Sequence, residues 1–307
     1  ELGINYIDTA TNYTTSETRV GKAIAGRSEG LIIATKTMAR TADVMEAHLK
    51  QSLEHIGVGS IDLYQFHNVS DPDAVKAILA PGGPLAAAEK AKKAGLVKHI
   101  GVTSHSLDMA KELVRSDRFE TIMFPFNFVA REPEDELLSL CKEHDVGFIA
   151  MKPMGGGLLD NPVIAFKYLM RFPDIVPIVG IERVREIEEI VPIVEGPAEM
   201  TAAELAEMER IKRELGTRFC RRCDYCQPCT EGIPISTVMM LGSFARRLPP
   251  ERIFTGGMAE AMDKAAQCSK CGDCETRCPY NLSIRDMIEE NVTWYQAEKE
   301  KRQGRAA

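Results

Sequence analysis

The sequence predicts an α/β protein in which a TIM (β/α)8 barrel is followed by a small, mainly helical, cysteine-rich domain. Two observations predict it. Short apolar runs alternate with amphipathic stretches up to about Gly196, and eight of the nine cysteines lie in two short runs near the C-terminus. Apolar strands that alternate with helices of about 10–15 residues are typical of repeated βα units around a buried parallel sheet. The 307 residues suffice for one barrel-sized domain and a small appendage.

Seven strand-like runs are predicted in the first part of the chain. They are Ile4–Thr9, Leu31–Lys36, Ile61–His67, His99–Thr103, Thr121–Phe126, Gly147–Met151 and Ile175–Gly180. An open doubly wound sheet would hold seven strands as well as a barrel would. However, polar residues recur at the ends of successive strands, among them Asp8, Lys36 and His67. A barrel builds its active site from the carboxyl ends of all its strands, whereas an open sheet gathers such residues at one switch point. The barrel is therefore favoured.

The start of the chain also bears on the barrel. The sequence begins at Glu1 without a methionine and enters a strand-like run at once. We therefore expect an N-terminally truncated barrel whose first βα unit is missing.

Helix-like stretches lie between the strands, and two helix starts carry a capping box, in which a Thr is followed three residues later by Glu. Thr14 with Glu17 predicts the start of one helix, and Thr201 with Glu204 predicts the start of another. The stretches include Thr41–His55, Leu107–Ser116, Pro133–Glu143, Pro162–Arg171 and Met200–Leu215. These elements predict a barrel over residues 1–198, a linker helix over 199–217 and a small domain over 218–300.

The cysteine spacing is typical of iron–sulfur proteins. Cys268, Cys271, Cys274 and Cys278 read C-x2-C-x2-C-x3-C-P, the spacing that binds a cubane cluster. Cys220, Cys223, Cys226 and Cys229 are spaced similarly, but this run ends with x2, and Thr230 stands where the other has Pro279. Zinc is the alternative, although zinc sites usually pair one C-x2-C with a distant second pair. Iron–sulfur is favoured, and Cys141, alone in a helical pattern, is expected to be a buried apolar residue.

The two cysteine runs form an internal repeat, since each is followed by an apolar Ile-x-Ile or Leu-x-Ile segment. The repeat indicates a ferredoxin-like unit with two 4Fe–4S clusters. In two-cluster ferredoxins the fourth cysteine of a run binds the other cluster. We therefore expect one cluster on Cys220, Cys223, Cys226 and Cys278, and the other on Cys268, Cys271, Cys274 and Cys229.

Charge and hydropathy restrict the partners. The formal net charge of −7 provides no general basic surface, so nucleic acid is not expected as a partner. No stretch approaches the ~18 consecutive apolar residues of a membrane span, so a membrane is not expected either. Closely spaced cluster-binding thiols suit a reducing compartment. Because exposed clusters are sensitive to oxygen, we expect an anaerobic or low-oxygen cytoplasm.

A second constellation comprises Asp8, Tyr13, Lys36 and His67, which follow or close three successive strand-like runs. A Lys ammonium near a Tyr hydroxyl stabilises the phenolate and lowers the pKa of the phenol, which makes it a usable acid near neutral pH. A carboxylate beside the Lys keeps it charged, and a His can hydrogen-bond a substrate carbonyl. Each residue alone has an ordinary structural explanation, but four at successive strand ends indicate an active site.

These residues stand in motifs that resemble the aldo/keto reductases in order and spacing. The motifs are Asn5-Tyr-Ile-Asp8-Thr-Ala-Thr-Asn-Tyr13, Ala34-Thr-Lys36, Asp62-Leu-Tyr-Gln-Phe-His67, Ile100-Gly-Val-Thr-Ser-His105, Pro125-Phe-Asn127 and the run from Gly147 to Gly157. The resemblance covers about residues 1–195. The cysteine-rich tail is similar to that of a subgroup with a C-terminal ferredoxin-like 4Fe–4S domain.

The resemblance implies a carbonyl reductase that transfers hydride from NADPH to an aldehyde or ketone. By it, Tyr13 is the general acid, Lys36 tunes the pKa of Tyr13, Asp8 pairs with Lys36, and His67 orients the carbonyl. The implied cofactor contacts are Thr103, Ser104, Asn127, Lys152 and Arg183. Glu182 is an acidic departure beside Arg183, so NADH stays an alternative to NADPH.

The tail leaves the overall function open between two classes. In the first, the protein is a carbonyl reductase whose clusters relay electrons to a redox partner or brace the fold. In the second, it is an electron-transfer or complex-assembly protein whose barrel is catalytically silent. A cluster passes one electron at a time, whereas hydride transfer moves two together, so coupling the two within one turnover is chemically awkward.

Overall fold

The structure, a computed structural model, describes residues 2–306, with the side chains of Arg247 and of residues 303–306 outside that description. The chain forms two compact units. The first runs to Phe126 and also includes Ala130–Pro153 and Leu169–Glu195. The second consists of Asn127–Val129, Met154–Tyr168 and the described chain from Gly196 onward.

The first unit is built on a seven-stranded parallel sheet whose strands lie side by side in sequence order. The strands are β1 (Tyr6–Asp8), β2 (Ile32–Thr37), β3 (Ile61–Phe66), β4 (Val97–Thr103), β5 (Thr121–Pro125), β6 (Gly147–Met151) and β7 (Ile175–Ile178). Every neighbouring pair is parallel, so the sheet winds in one direction and forms a nearly closed TIM barrel. The predicted barrel fold is confirmed.

The strand register fills the barrel interior in layers. Ala34, Leu63, Met123 and Ile149 form an apolar cluster, against which Tyr6 packs. Because side chains alternate along a strand, the residues two positions further on face the same interior. Those residues include Asp8 on β1, Lys36 on β2 and Gln65 on β3. A polar layer therefore lies toward the carboxyl ends of the strands, above an apolar one.

Helices follow most of the strands. Those up to β7 are α1 (Ser16–Ile24), α2 (Ala42–Ile56), α3 (Pro72–Leu79), α4 (Pro84–Lys93), α5 (Leu107–Arg115), α6 (Leu137–Glu143) and α7 (Pro162–Leu169), and α8 (Val184–Glu195) follows β7. The single helix predicted over Pro133–Glu143 is instead a 3-10 turn at Glu132–Glu134 followed by α6.

The capping box predicted at Thr14 and Glu17 is wrong. Helix α1 begins at Ser16, after an N-cap, Thr15, that makes no side-chain cap bond. The Glu17 side chain is buried and accepts hydrogen bonds from the hydroxyls of Thr35 at 2.6 Å and Ser52 at 2.7 Å. Its carboxylate ties α1 to β2 and α2 instead of capping the helix.

The second unit is mainly helical. Its helices, besides α7, are α9 (Ala202–Gly216), α10 (Ile235–Met239), α11 (Leu241–Arg247), α12 (Pro250–Phe254), α13 (Gly256–Ala265), α14 (Asp273–Thr276) and α15 (Ile284–Ala306). The capping box predicted at the start of α9 is confirmed: Thr201 Oγ1 accepts from the Glu204 amide, and Glu204 Oε2 accepts from the Thr201 amide. One apolar core, which includes Cys226, Ile235 and Cys274, joins the cysteine loops to α10, α12, α13 and α15.

The predicted domain limits stay a prediction, and the compact units do not follow them. The segment 154–168, which the sequence assigns to the barrel, packs within the second unit. Ser243 donates to the Gly156 carbonyl at 2.7 Å, and Lys167 pairs with Glu204 at 2.9 Å. These bonds join residues far apart in the sequence, which no local pattern reveals. Among the described residues no helix has the length and apolar composition of a transmembrane span.

Candidate active site and cluster-binding cavities

Lys36 lies near the carboxyl end of β2 with only 1% of its surface exposed. Its Nζ donates to Asp8 Oδ2 and, at 2.8 Å, to the carbonyl oxygen of Thr9. The second carboxylate oxygen of Asp8 accepts from Gln65 Nε2 at 3.2 Å. The register accounts for this grouping, because Lys36 and Gln65 are partners across β2 and β3, and Asp8 closes the adjacent β1. The result is an ion pair between a buried ammonium and a partly buried carboxylate, in which both charged groups are hydrogen-bonded.

Burial perturbs both members of the pair. It raises the pKa of the Asp8 carboxyl and lowers the pKa of the Lys36 ammonium, while the attraction between the two groups opposes both shifts. Tyr6, two residues before Asp8, has a phenol pKa raised by burial and then by the negative charge of Asp8. Perturbed groups clustered at a barrel's strand ends indicate a site of proton chemistry.

Tyr13 lies in the turn between β1 and α1. Two backbone hydrogen bonds fix this turn, from the Tyr13 amide to the Ala10 carbonyl at 3.0 Å and from the Ser16 amide to the Tyr13 carbonyl at 2.9 Å. The Tyr13 ring is 44% exposed, and Lys36 Nζ lies 5.2 Å from its centroid. Tyr13, the most exposed of the four predicted residues, therefore lies next to the buried Lys36 ammonium.

His67 follows β3 and contacts the same tyrosine. The two rings meet edge to face with centroids 5.6 Å apart, and His67 Nδ1 lies 3.2 Å from Asn12 Oδ1. The His67 backbone is anchored as well, because its amide donates to the Thr37 carbonyl at 2.8 Å and its carbonyl accepts from Arg40 at 2.9 Å. The structure thus brings Asp8, Tyr13, Lys36 and His67 together.

Two of the predicted cofactor contacts close β4. Thr103 and Ser104 are both buried. Thr103 Oγ1 accepts from the Asn68 amide at 2.8 Å, and Ser104 Oγ donates to the Ser106 carbonyl at 3.1 Å. Both hydroxyls are thus engaged in holding the loops after β3 and β4.

The other three predicted contacts are scattered. Asn127 is buried in the second unit, where its Oδ1 accepts from the Val129 amide at 2.9 Å. Lys152 directly follows β6 with a left-handed backbone (φ 60°). Arg183 is exposed just before α8.

The start of α8 fits a phosphate poorly. The amides of Glu182 and Arg183 donate to Glu186 Oε2 at 2.8 and 3.2 Å, and these two bonds hold the pKa of Glu186 below its usual range. A carboxylate therefore already occupies the backbone donors that an anion would use at this helix N-terminus.

The eight C-terminal cysteines line two cavities, both within the second unit. The first cavity is lined by Cys220, Cys223, Cys226 and Cys278, and the second by Cys229, Cys268, Cys271 and Cys274. Each run of cysteines thus contributes its fourth member to the other cavity. This is the grouping expected from the spacing, and the irregular end of the first run does not prevent it.

The cavities fit cubane clusters better than single ions. All eight cysteines are free thiols, and within residues 2–306 no three His, Cys, Asp or Glu side chains converge as they would around one ion. A cubane needs wider spacing, since each thiolate binds a different iron. Burial raises the pKa of the Cys223 thiol to about 11 and that of Cys226 to about 12, with nearby cysteines adding to both shifts. Bound iron would reverse these shifts, because a coordinating thiol is deprotonated outright.

The surroundings of the two cavities differ. Arg221 lines the first, where its guanidinium lies 4.2 Å from the centroid of the Tyr280 ring and donates to the Phe219 carbonyl at 2.7 Å. The second includes Cys271, the one cysteine of the eight that is exposed. The second cavity therefore has one solvent-exposed thiol in its lining.

Sequence reasoning missed Gln65 as a member of the site. Gln65 stands two residues before His67, and strand alternation places the two on one face. Its neighbours along β3, Leu63 and Phe66, are apolar and buried, so a polar side chain between them was a usable signal.

Two known sequence families match this chain, one in its N-terminal part and one in its C-terminal part. Residues 1–163 match the sequence model of the aldo/keto reductase family, and residues 219–283 match that of the 4Fe-4S dicluster domain. An uncharacterized oxidoreductase of Bacillus subtilis, YqkF, is 34% identical over 173 residues, which are 52% of this chain and 54% of that protein. Another, from Schizosaccharomyces pombe, is 29% identical over 219 residues, which are 62% of this chain and 69% of that protein. The chain thus spans about half to two thirds of the length of these relatives.

Solved structures resemble the barrel. Aldo-keto reductase AKR11C1 from Bacillus halodurans, in its holo form, superposes with a TM-score of 0.58 and 25% identity, over 68% of this chain and 83% of that one. An aldo-keto reductase from Klebsiella pneumoniae in complex with NADPH gives a TM-score of 0.58 at 19% identity, over 69% of this chain and 81% of that one. The second likeness concerns the fold alone.

Proposed function

The chain belongs to the aldo/keto reductase family, and we propose that it reduces an aldehyde or ketone by hydride transfer from NADPH. One observation carries the proposal. Buried Lys36, paired with Asp8, lies against the exposed ring of Tyr13, and His67 lies at the edge of the same ring. This arrangement places a partly exposed phenol next to a fixed positive charge, a pairing that suits protonation of a carbonyl oxygen.

Each residue has a distinct role in this proposal. Tyr13 donates its phenolic proton to the carbonyl oxygen as negative charge develops there. Lys36 stabilises the phenolate that remains, and Asp8 keeps Lys36 charged and in place. His67, held by its backbone bonds and by Asn12, orients the carbonyl oxygen. The bound dinucleotide would supply the hydride to the carbonyl carbon, so the hydride and the proton together give an alcohol.

The identity of the dinucleotide is a finer proposal. NADPH is proposed, with NADH as the alternative, and Thr103, Ser104, Asn127, Lys152 and Arg183 are the proposed contacts. A reductase complex with NADPH is known for the Klebsiella pneumoniae protein. Arg183 and Arg185 bring positive charge to the start of α8, but Glu186 occupies the amides there. Both dinucleotides therefore belong in every assay.

The second unit is proposed to bind two 4Fe–4S clusters, one on each set of four cysteines that line a cavity. The match to a dicluster domain and the exchanged fourth ligands support it. The exposed Cys271 favours a role in one-electron exchange with a redox protein, in addition to stabilising this unit. Such clusters would place the protein in a reducing, low-oxygen cytoplasm.

The reductase proposal is tested with Tyr13→Phe, which removes the hydroxyl and keeps the ring. The full chain, reconstituted with iron and sulfide without oxygen, is assayed for NADPH and NADH oxidation with a panel of aldehydes and ketones. We expect Tyr13→Phe to lower kcat by about 10^2–10^4-fold, the usual contribution of a general acid. NADPH affinity, followed by fluorescence, should change little. Full turnover in Tyr13→Phe would refute the reductase mechanism and leave the electron-transfer function as the better one.

A further inference from the structure

We propose that Gln65 is a positioning residue of the carbonyl-reduction site, whose side-chain amide holds Asp8 in the ionised form and orientation that Lys36 needs. The inference rests on the proposed function, to which it adds a fifth residue. Gln65 lies on β3 directly across from Lys36 and is fully buried. Its Nε2 donates to Asp8 Oδ1 at 3.2 Å, while Lys36 binds Oδ2.

The orientation of the amide follows from chemistry. With Nε2 toward Asp8, a donor faces a carboxylate; the flipped amide would place two acceptors face to face. The donating orientation leaves Gln65 Oε1 buried and without a hydrogen-bond partner among the described residues. An unpartnered buried acceptor carries a desolvation penalty that an apolar side chain would avoid. The bond to Asp8 gives a reason for an amide at this position.

The barrel also makes room for this side chain. Gly101 on β4 is the strand partner of Gln65. A Cβ atom at Gly101 would lie 3.2 Å from Gln65 Cγ and 2.2 Å from Thr121 Oγ1. A larger residue on β4 would therefore push on Gln65 and Thr121. The glycine therefore leaves space for the Gln65 side chain that binds Asp8.

Loss of the hydrogen bond from Gln65 should raise the pKa of Asp8. Lys36, Tyr6 and Gln65 all face Asp8, and Tyr13 and His67 lie beyond Lys36. Burial raises the pKa of Asp8, whereas the hydrogen bonds from Lys36 and Gln65 lower it. When Asp8 is protonated, Lys36 keeps its charge but loses the carboxylate that holds its ammonium in position beside Tyr13. Activity is then lost as pH falls through the pKa of Asp8, and loss of the Gln65 donor moves this limit to higher pH.

The test is Gln65→Met, which keeps the length of the side chain and removes the donor. Its control is Leu63→Met, a change of packing at the neighbouring inward position of the same strand. For the full chain with its clusters, kcat and kcat/KM are measured against pH. We expect the acid limit of Gln65→Met to rise by about one pH unit, with kcat affected more than the KM of the carbonyl. Leu63→Met should keep the wild-type limit.

A second measurement does not depend on activity. The free energy of unfolding is compared between wild type and each variant across the same pH range. The difference in free energy of unfolding between wild type and Gln65→Met should grow as pH rises through the pKa of Asp8, because the lost bond stabilises the ionised carboxylate. The difference between wild type and Leu63→Met should not change with pH. If Gln65→Met kept the wild-type acid limit of activity and its loss of unfolding free energy did not depend on pH, the role of Gln65 would be overturned. The reductase function would still stand in that case, provided that Tyr13→Phe is inactive. An active Tyr13→Phe would instead overturn the reductase function itself.

Discussion

At the scale of single residues, the structure distinguishes two acidic side chains that the sequence presents alike, the buried Glu17 and the partly buried Asp8. Glu17 accepts from two neutral hydroxyls, those of Thr35 and Ser52, and so joins secondary-structure elements. Asp8 instead faces the Lys36 ammonium and the Gln65 amide at the strand ends. A carboxylate paired with a buried cation beside an exposed phenol can influence a proton transfer. The Glu17 carboxylate, which binds two hydroxyls through one oxygen and lies 3.6 Å from His55 Nδ1 through the other, stabilises the fold.

Removing one member of the Asp8–Lys36 pair should lower the free energy of unfolding more than the removal of either charge would if the two effects were independent. Asp8→Asn or Lys36→Met leaves one charge buried without its partner, and each is expected to cost about 3–5 kcal/mol. The double variant leaves neither charge, so its cost should be well below the sum of the two. In Lys36→Met the folded-state pKa of Asp8 lies above its unfolded value, so stability should fall as pH rises from about 4. Urea unfolding of wild type, the two single variants and the double variant at several pH values measures these free energies. If the loss in the double variant equalled the sum of the two single losses, the prediction would be contradicted.

At the scale of elements, local patterns succeeded for the short apolar strands, both for the largely buried β3 to β5 and for the partly exposed β1 and β7. All seven strands lie where they were expected, because parallel strands inside a barrel read as continuous apolar runs. Two helix starts carried the same capping pattern, and only the one at Thr201 is real. At Glu17 the hydroxyls of β2 and α2 compete for the carboxylate, and this tertiary contact overrides the local motif. Local sequence cannot reveal such a competitor.

The close packing of α1 on α2 can be tested at Gly21. A Cβ atom there would lie 2.6 Å from the carbonyl oxygens of His55 and Ile56, which belong to the backbone and cannot rotate away. We expect Gly21→Ala to destabilise the protein by about 1–3 kcal/mol. Gly257→Ala is the control, since that helical glycine has nothing within 4 Å of its Cβ position. There, alanine should be neutral or stabilising by up to about 1 kcal/mol. Equal thermal shifts for the two variants would exclude the steric explanation.

At the scale of the whole molecule, the sequence could predict which candidate site residues come together but not how the chain divides into compact units. The four residues at the strand ends and the eight cysteines could be found because their spacing reflects chemical requirements. The grouping of residues 127–129 and 154–168 with the cysteine-rich region could not, because it depends on isolated long-range contacts. Phe219 packs against Gly155, and Arg221 donates to the Val129 carbonyl at 3.1 Å. Both residues flank Cys220, so the first cavity and these segments share one framework.

Cluster loss should therefore loosen the second unit well beyond the cysteine loops. Wild type reconstituted without oxygen should hold about eight irons per chain, four for each cubane. Cys223→Ser should lower the iron content, and hydrogen exchange should quicken in segments 127–129 and 154–168 as well as near Cys220, since Phe219 and Arg221 lose their anchor. Protection in β1–β4 should persist, because the barrel interior has its own core. Cys141→Ser, at a buried cysteine outside both cavities, is the matched control and should keep its iron. Unchanged exchange over 154–168 in an iron-depleted Cys223→Ser would show that these segments are held independently of the cluster.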